Sequence, residues 1–445
     1  MRTRTALTAA VLAGTVSAIN LNIDNEQSIK NAAATAAFNT MVNYTGNQTG
    51  QIPGYIQGGW WEGGALFQTM IQYWYFTGDT SNNAAVSQGM YWQRGSGDDF
   101  MPSNWSLSLT NSDQMLWGLA AMTAAELDYP QESSMPSWVS LADGVFDTQT
   151  RRWDNEVCNG GLRDGIQTFD SDYDIKTAMA NGGLFQLAAR LARFKNTDHY
   201  YIGWAEKVWE WSEQVSLVDT KSWRLTEGIS TSDGCKSISD LQWTYNYGLY
   251  LGGAAYMYNV TGKQTWKKGL DGLLQTTFDT LFPKAYGGNI MSETACEAED
   301  ICNSSEDIYK GLLASDLLFV SIVAPYTAES ITSRLRGSAV AAAKSCTGGN
   351  NNTLCGQRWY NSTWDGTATI EDQMSAVNIL TAALASYVHV NTSSPISLNA
   401  TQSASSIAAA ATKSNGAVAL THGSMSTLPL IVVGIISALQ GIVYF

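Results

Sequence analysis

Histidine is almost missing from this chain: three residues in 445, His199, His389 and His422, with no spacing that lets any two share an ion. A zinc or iron centre needs clustered imidazole or thiolate ligands, so the sequence predicts no metal and no cofactor. The six cysteines form no CxxC pair either. Charge is scarce, at 14% of residues, and leans acidic to a net −14. With no basic patch, nucleic acid is excluded as a partner. No GxSxG elbow, P-loop or Rossmann fingerprint occurs, which removes the common routes to acyl transfer, phosphate binding and dinucleotide chemistry. No regular period runs through the chain, which argues against a helical solenoid.

What is abundant is aromatic, with 16 Trp and 20 Tyr. Most such rings serve as packing mass between helices, but a flat apolar face with a polar edge also suits a sugar ring. The two ends of the chain point to secretion. Arg2 and Arg4, the apolar run Ala6 to Val16 and the small residues Val16-Ser17-Ala18 form a signal peptide over residues 1–18. At the far end, Leu428 to Phe445 is an 18-residue apolar tail without charge, preceded by a polar spacer and by Asn415-Gly416-Ala417. That order is the signal for a GPI anchor, with Asn415 as its attachment site. The expected plan is therefore a body over 19–392, a Ser/Thr-rich stalk over 393–415 and a removed propeptide over 416–445. Nine N-glycosylation sequons, at Asn43, Asn47, Asn104, Asn259, Asn303, Asn351, Asn361, Asn391 and Asn399, fit the same route. An even number of cysteines suits disulfides.

Within the body, twelve helix-like segments are separated by turns of Gly, Asn, Asp and Ser: 26–43, 61–77, 81–94, 112–128, 132–149, 174–194, 198–219, 239–260, 261–283, 305–324, 328–345 and 368–390. No run of alternating strands stands out. The odd-numbered segments are amphipathic, as in His199 to Trp211, whereas the even-numbered ones are more apolar and open on acidic, amide and aromatic residues. The segment after Asn111-Ser112-Asp113-Gln114 shows this most clearly, since Met115, Leu116, Trp117, Leu119, Ala120, Ala121 and Met122 leave it no polar face. Asn111 or Ser112 is expected to cap it, with Asp113 at the positive end of the helix dipole. Six outer and six inner helices in alternation make an all-α fold, an (α/α)6 barrel. Its inner helices run parallel and open their polar heads into one funnel. A funnel of acids, amides and aromatics without His, Cys or Lys suits acetal chemistry. Glycosidic cleavage needs one carboxylic acid to protonate the leaving oxygen and one carboxylate to attack, or to activate water.

The stretches Trp60 to Phe67, Tyr73 to Asp79, Asp99 to Pro102, Gln114 to Gly118, Asn159 to Arg163, Asn181-Gly182-Gly183, Leu187 to Arg193, Gln242 to Asn246 and Gln373 to Ala376 resemble glycoside hydrolase family 76. The likeness is to its fungal GPI-anchored branch, similar to endo-α-1,6-mannanases. It implies the same barrel and a retaining mechanism on α-1,6-linked mannose, in mannan or in the GPI glycan. It also implies a place in the cell wall and at the outer face of the plasma membrane, with β-glucan as an acceptor for transfer. The family's adjacent Asp pair falls on Ser112-Asp113, which makes Asp113 the acid/base and puts Ser112 at the nucleophile position. The expected substrate-binding residues are Trp61, Glu62, Trp117, Arg163, Asp172, Trp243, Tyr245, Asn246 and Asp372. Closeness along the chain pairs Cys296 with Cys302 and Cys346 with Cys355; this leaves Cys158 with Cys235, in agreement with the resemblance.

Two departures bear on the chemistry. Ser112 has no His or Lys near it in sequence to activate a hydroxyl. A working enzyme would have to recruit another carboxylate, such as Asp170, Asp172 or Asp372; otherwise turnover falls while mannan binding persists, and Ser112→Asp gains activity. The second departure is Asp164-Gly165, where the family has Trp-Gln, which alters the sugar-binding surface. The anchor is open to direct test. A phosphatidylinositol-specific phospholipase should release the protein from membranes, whereas retention with the Leu428–Phe445 peptide attached would make the tail a transmembrane helix.

Overall fold

The computed structural model describes residues 19–387 apart from 197. The signal peptide, His389, His422, Asn391, Asn399, the stalk and the GPI site at Asn415 lie outside the described residues. The helices are α1 (Glu26–Asn43), α2 (Trp60–Thr77), α3 (Asn83–Gln93), α4 (Asn111–Glu126), α5 (Trp138–Arg151), α6 (Ala178–Phe194), α7 (His199–Gln214), α8 (Thr244–Thr261), α9 (Gln264–Leu281), α10 (Tyr309–Val323), α11 (Ala328–Ser345) and α12 (Ile370–Ala382).

The division into inner and outer helices follows from their patterning. In α9, burial falls on Trp266, Gly269, Leu270, Leu273, Leu274, Thr277, Phe278 and Leu281, one stripe at helical spacing with a polar back. In α8, every residue from Thr244 to Met257 is buried, which only an inner position satisfies. Each even-numbered helix packs on the next, α2 on α4 and so on to α12, and α12 closes back on α2. The odd-numbered helices lie outside this ring, α3 on α2, α5 on α4, α7 on α6 and α9 on α8. This is an (α/α)6 barrel. Small residues let the inner helices close up: a Cβ on Gly183 would stand 2.2 Å from the Cγ of Met115 on α4, and one on Gly253 would stand 2.3 Å from a ring carbon of Phe185 on α6.

Four starts fall four to six residues later than the sequence expectation, that of α10 because a 3-10 turn, Ser304–Ile308, precedes Tyr309. Helix α5 begins at Trp138, six residues late, because Pro136 precedes it and Ser137 supplies the cap to the Ser140 N–H. Helix α6 begins at Ala178 because the residues before it form a strand. That strand, β1 (Ile175–Thr177), pairs antiparallel with β2 (Gly228–Ser230), which pairs with β3 (Lys236–Ser237). Strands of two or three residues are too short to show alternation in sequence. Helix α8 starts at Thr244, after the loop leading on from β3.

The two ends of the inner ring are chemically different. At the C-terminal end, Glu126, the last residue of α4, accepts hydrogen bonds on Oε2 from Arg190 of α6 (2.7 Å) and from the Tyr256 hydroxyl of α8 (2.9 Å). Both charged side chains are almost wholly buried. Burial opposes the Arg190 charge, but Glu126 beside it holds the guanidinium above its ordinary pKa. Removing one partner of a buried pair leaves the other charge without compensation. Glu126→Ala should therefore cost about 3–5 kcal/mol in chemical denaturation. Activity per folded molecule should be preserved, because the pair lies at the end of the barrel away from the acids described next.

Candidate active site

Hydrogen bonds between neighbouring helix starts show that the N-termini of the inner helices share one end. Ser305, just before α10, donates to Glu62 of α2 (2.8 Å). Thr369, the cap of α12, donates to Asp307 ahead of α10 (3.3 Å). The Thr244 N–H at the start of α8 donates to Glu293, in the segment leading to α10 (3.2 Å). This end is lined with acids, and Lys310, a cation among them, is spent on Glu297 and the Gln357 carbonyl.

The cap of α4 is Thr110, not Asn111 or Ser112. Its hydroxyl accepts from the Asp113 N–H (3.0 Å), and the Thr110 N–H donates back to Asp113 Oδ2 (3.0 Å), a reciprocal capping box. Asn111 instead joins neighbouring segments, donating from Nδ2 to the Arg163 carbonyl (2.9 Å) and accepting on Oδ1 from Arg152 (2.8 Å). Asp372 of α12 sits in the same kind of box with Thr369. The two acids differ in the oxygen left over. Asp372 Oδ1 is sealed from solvent and has no partner. Asp113 remains half-buried, with Oδ1 neither bonded nor sealed. Because Oδ2 accepts an N–H, a proton on Asp113 sits on Oδ1, where it is open to the funnel. Burial, with Asp164 and Asp172 nearby, pushes the Asp113 pKa up to about 6, a value fit for a general acid.

Ser112 Oγ donates to Asp164 Oδ1, and the Thr177 hydroxyl donates to the same oxygen (3.1 Å). The carboxylate beside the vacated nucleophile position is thus Asp164. Sequence reasoning missed it and read that position only as a lost sugar contact. Asp170 is occupied by the Gln167 N–H in its own loop (2.7 Å), and Asp372 lies on α12, beyond α2 from α4. Asp172 is half-buried near Asp164, close enough to raise its pKa.

The remaining expected site residues divide. Trp117 is fully buried, with its N–H on the Trp60 carbonyl (3.2 Å) and its ring against Trp60, Phe67 and Phe100. It is core, not a sugar contact; an apolar helix buried all round has no room for a ligand at its second turn. Arg163 is engaged by Asp154 (2.9 Å) and the Tyr173 carbonyl (2.8 Å), and its guanidinium lies over the Tyr173 ring. Glu62 is buried between Ser305 and the Gly59 N–H. Trp61 is half-buried at the head of α2. Trp243 and Tyr245 cluster with Tyr309 at ring distances of 5.7 and 4.3 Å. Buried Asn246 leaves its Oδ1 without a partner. Tyr309 and the stacked pair Tyr55 and Trp105, on the loops ahead of α2 and α4, are aromatic groups at this end that sequence reasoning did not single out.

The disulfides are Cys158–Cys235, Cys296–Cys302 and Cys346–Cys355, the pairing expected from sequence. The first ties the loop ahead of α6 to the turn between β2 and β3. The seven sequon asparagines among the described residues all lie at the surface.

Comparison with known proteins fits this geometry. The sequence model of glycosyl hydrolase family 76 matches residues 28–394. The chain belongs to that family. The family 76 chain is 39% identical over 368 residues to mannan endo-1,6-alpha-mannosidase DCW1 of Saccharomyces cerevisiae, covering 82% of this chain and 80% of that one. It is 35% identical to the enzyme DFG5 of Candida albicans, which carries the same activity name, covering 83% and 82%. The crystal structure of Dfg5 from Chaetomium thermophilum in complex with glucosamine superposes with a TM-score of 0.79 at 35% identity, covering 83% of this chain and 93% of that one. An inactive variant of the family 76 α-1,6-mannanase of Salegentibacter, bound to α-1,6-mannotetrose, shares the fold with a TM-score of 0.64 at 18% identity, covering 80% and 99%.

The acid-lined end has a consequence for stability. Burial raises Asp113 and Asp164, and Asp316 deeper in the barrel, to about 6 and Glu293 to about 8, and raises Asp307, Glu371 and Asp372 as well. Each holds its proton more tightly folded than unfolded, so the folded state binds more protons between the ordinary carboxyl values of 3.8 to 4.5 and about 8. Stability contributed by these groups is therefore fullest in acid and is lost as pH rises through that window. The thermal midpoint should be higher at about pH 5 than at about pH 8. A midpoint that climbs over this interval would show that these carboxyls are ionised and paired in the fold.

Proposed function

We propose that this family 76 protein cleaves or transfers α-1,6-mannosidic linkages, in cell-wall mannan or in the mannose of GPI glycans, from a lipid anchor on the outer face of the plasma membrane. The observation that carries the reading is Asp113. It is fixed by its capping box, raised in pKa, and left with one open oxygen at the end of the barrel where Trp61 heads α2 and Trp243 and Tyr245 head α8. An acid held in that way protonates a glycosidic oxygen as the bond to C1 breaks. The relatives named as mannan endo-1,6-alpha-mannosidases support mannan as the substrate. Trp61, Trp243, Tyr245 and Tyr309 offer ring faces and edges to successive mannoses. Transfer in place of hydrolysis requires only that an acceptor hydroxyl, such as one on β-glucan, replace water in the second step.

The test is turnover of α-1,6-linked manno-oligosaccharides by the secreted protein. Asp113→Asn should lower kcat/KM by about 10²- to 10⁴-fold with little change in oligosaccharide binding. Undiminished turnover in that variant, or none by the natural protein, would defeat the reading.

A further inference from the structure

We propose that Asp164 is the catalytic nucleophile, a carboxylate delivered from the loop ahead of α6 to the place where Ser112 leaves none. This deepens the mannan reading above and rests on it.

Ser112 Oγ occupies roughly the position of the carboxyl carbon of an aspartate, and the oxygen it bonds belongs to Asp164. A carboxylate from residue 164 thus stands beside the space that a carboxylate from residue 112 would fill. Its placement is tightly determined. The Asp164 carbonyl accepts from the Asn111 N–H at the start of α4 (2.8 Å), and its own N–H donates to the Ile175 carbonyl of β1 (2.8 Å). Its Oδ1 is held by Ser112 on α4 and by Thr177, the cap of α6. The loop behind it is anchored by buried Lys176, which donates to the carbonyls of Val157 and Gly160 (2.6 Å each), and by Asn181, which bonds both the N–H and the carbonyl of Leu162. Among the described residues, no side chain bonds Oδ2, and Asp164 keeps part of its surface open. A carboxylate with one oxygen pinned by two hydroxyls and the other bonded by no side chain, over two helix N-termini that favour its charge, is arranged to attack.

The chemistry balances without any further reagent. Asp164 Oδ2 forms a bond to C1 of the mannose at the cleavage point while the bond from C1 to the leaving oxygen breaks, and the Asp113 proton passes to that oxygen. Water, or an acceptor hydroxyl, then attacks C1 and gives its proton to Asp113, and Asp164 leaves as a carboxylate. Two inversions at C1 return the α configuration. Asp164 also places a negative charge near Asp113 and so takes over a second duty of the missing aspartate, since it helps to keep the acid protonated. Ser112→Asp would therefore crowd two carboxylates together, and activity should fall rather than rise.

The experiment uses the full-length secreted protein, an α-1,6-manno-oligosaccharide and an activated α-1,6-mannobiosyl fluoride. Asp164→Asn, checked for folding by circular dichroism, should lose at least about 10³-fold in kcat. Sodium azide should restore consumption of the fluoride in that variant and yield the β-mannosyl azide, which a merely positioning residue would not allow. In the Asp113→Asn variant, the fluoride should leave a mannosyl ester on the peptide carrying Asp164. The double variant Ser112→Asp/Asp164→Asn should recover activity. Turnover retained in Asp164→Asn, an ester on another residue, or inversion at C1 by the natural protein would overturn the assignment while leaving the mannan reading intact. If the natural protein turned over neither donor, both would fall.

Discussion

The active end of this barrel depends on one seam, where the N-termini of α4 and α6 are tied together through Asp164. The residue gives its carbonyl to the first free N–H of α4 and its carboxylate to a hydroxyl from each helix. Helix N-termini carry unpaired N–H groups and a partial positive charge. An anion bound across two of them satisfies donors that would otherwise need water. The partial positive charge of the two N-termini is also a local counter-charge for the acids at this end, in a region with few cations. The disulfide between Cys158 and Cys235 and the buried Lys176 hold the loop that makes the tie, so the rigidity of the site comes from outside the barrel ring itself.

The interior is graded along its axis. Acids with raised pKa values crowd the end where the inner helices begin. In the middle, Gln72 donates to Ser315, and Gln186 donates to Asp316. At the far end, Glu126 sits at a helix C-terminus, where the dipole disfavours a carboxylate, and Arg190 offsets that cost. The gradient separates two demands. Structural charge is paired and sealed at one end, while catalytic charge is left partly unpaired and reachable at the other. Thr110 with Asp113 and Thr369 with Asp372 make the same point within a single end, since identical capping boxes differ only in whether the spare oxygen is open.

The alternation of amphipathic and apolar segments was enough to read the twelve helices and the closed ring, because inner and outer positions impose different burial. The place of Asp113 at the head of α4 was legible for the same reason, since that helix has no polar face. Trp117 was misread because aromatic abundance was credited to sugar binding at a position whose neighbours, Leu116 and Gly118 to Met122, already placed it in the core. The starts of α5 and α6 slipped because Pro136 and a three-residue strand act locally, without any period to betray them. Asp164 was invisible as a catalytic candidate because it lies 52 residues from Ser112 in sequence. Read separately, the two departures from the family pattern looked like two losses.

Taken together in space, they are one exchange. A glycosidase constrains where a carboxylate stands relative to C1, not which residue carries it, so a carboxylate from the β1 approach can stand in for one on the helix. The neighbouring Gly165 belongs to the same exchange. A Cβ at that position would come within 2.6 Å of the Tyr173 N, so a larger residue would force the 172–173 turn away. With glycine there, the Gly165 N–H reaches the Asp172 carbonyl (3.1 Å), and the Asp172 carboxylate stays near Asp164 and Asp113. Its charge opposes ionisation of both. Residue 164 restores the attacking group, residue 165 admits the turn that tunes it, and Ser112 becomes the hydrogen-bond donor that holds the new arrangement in place.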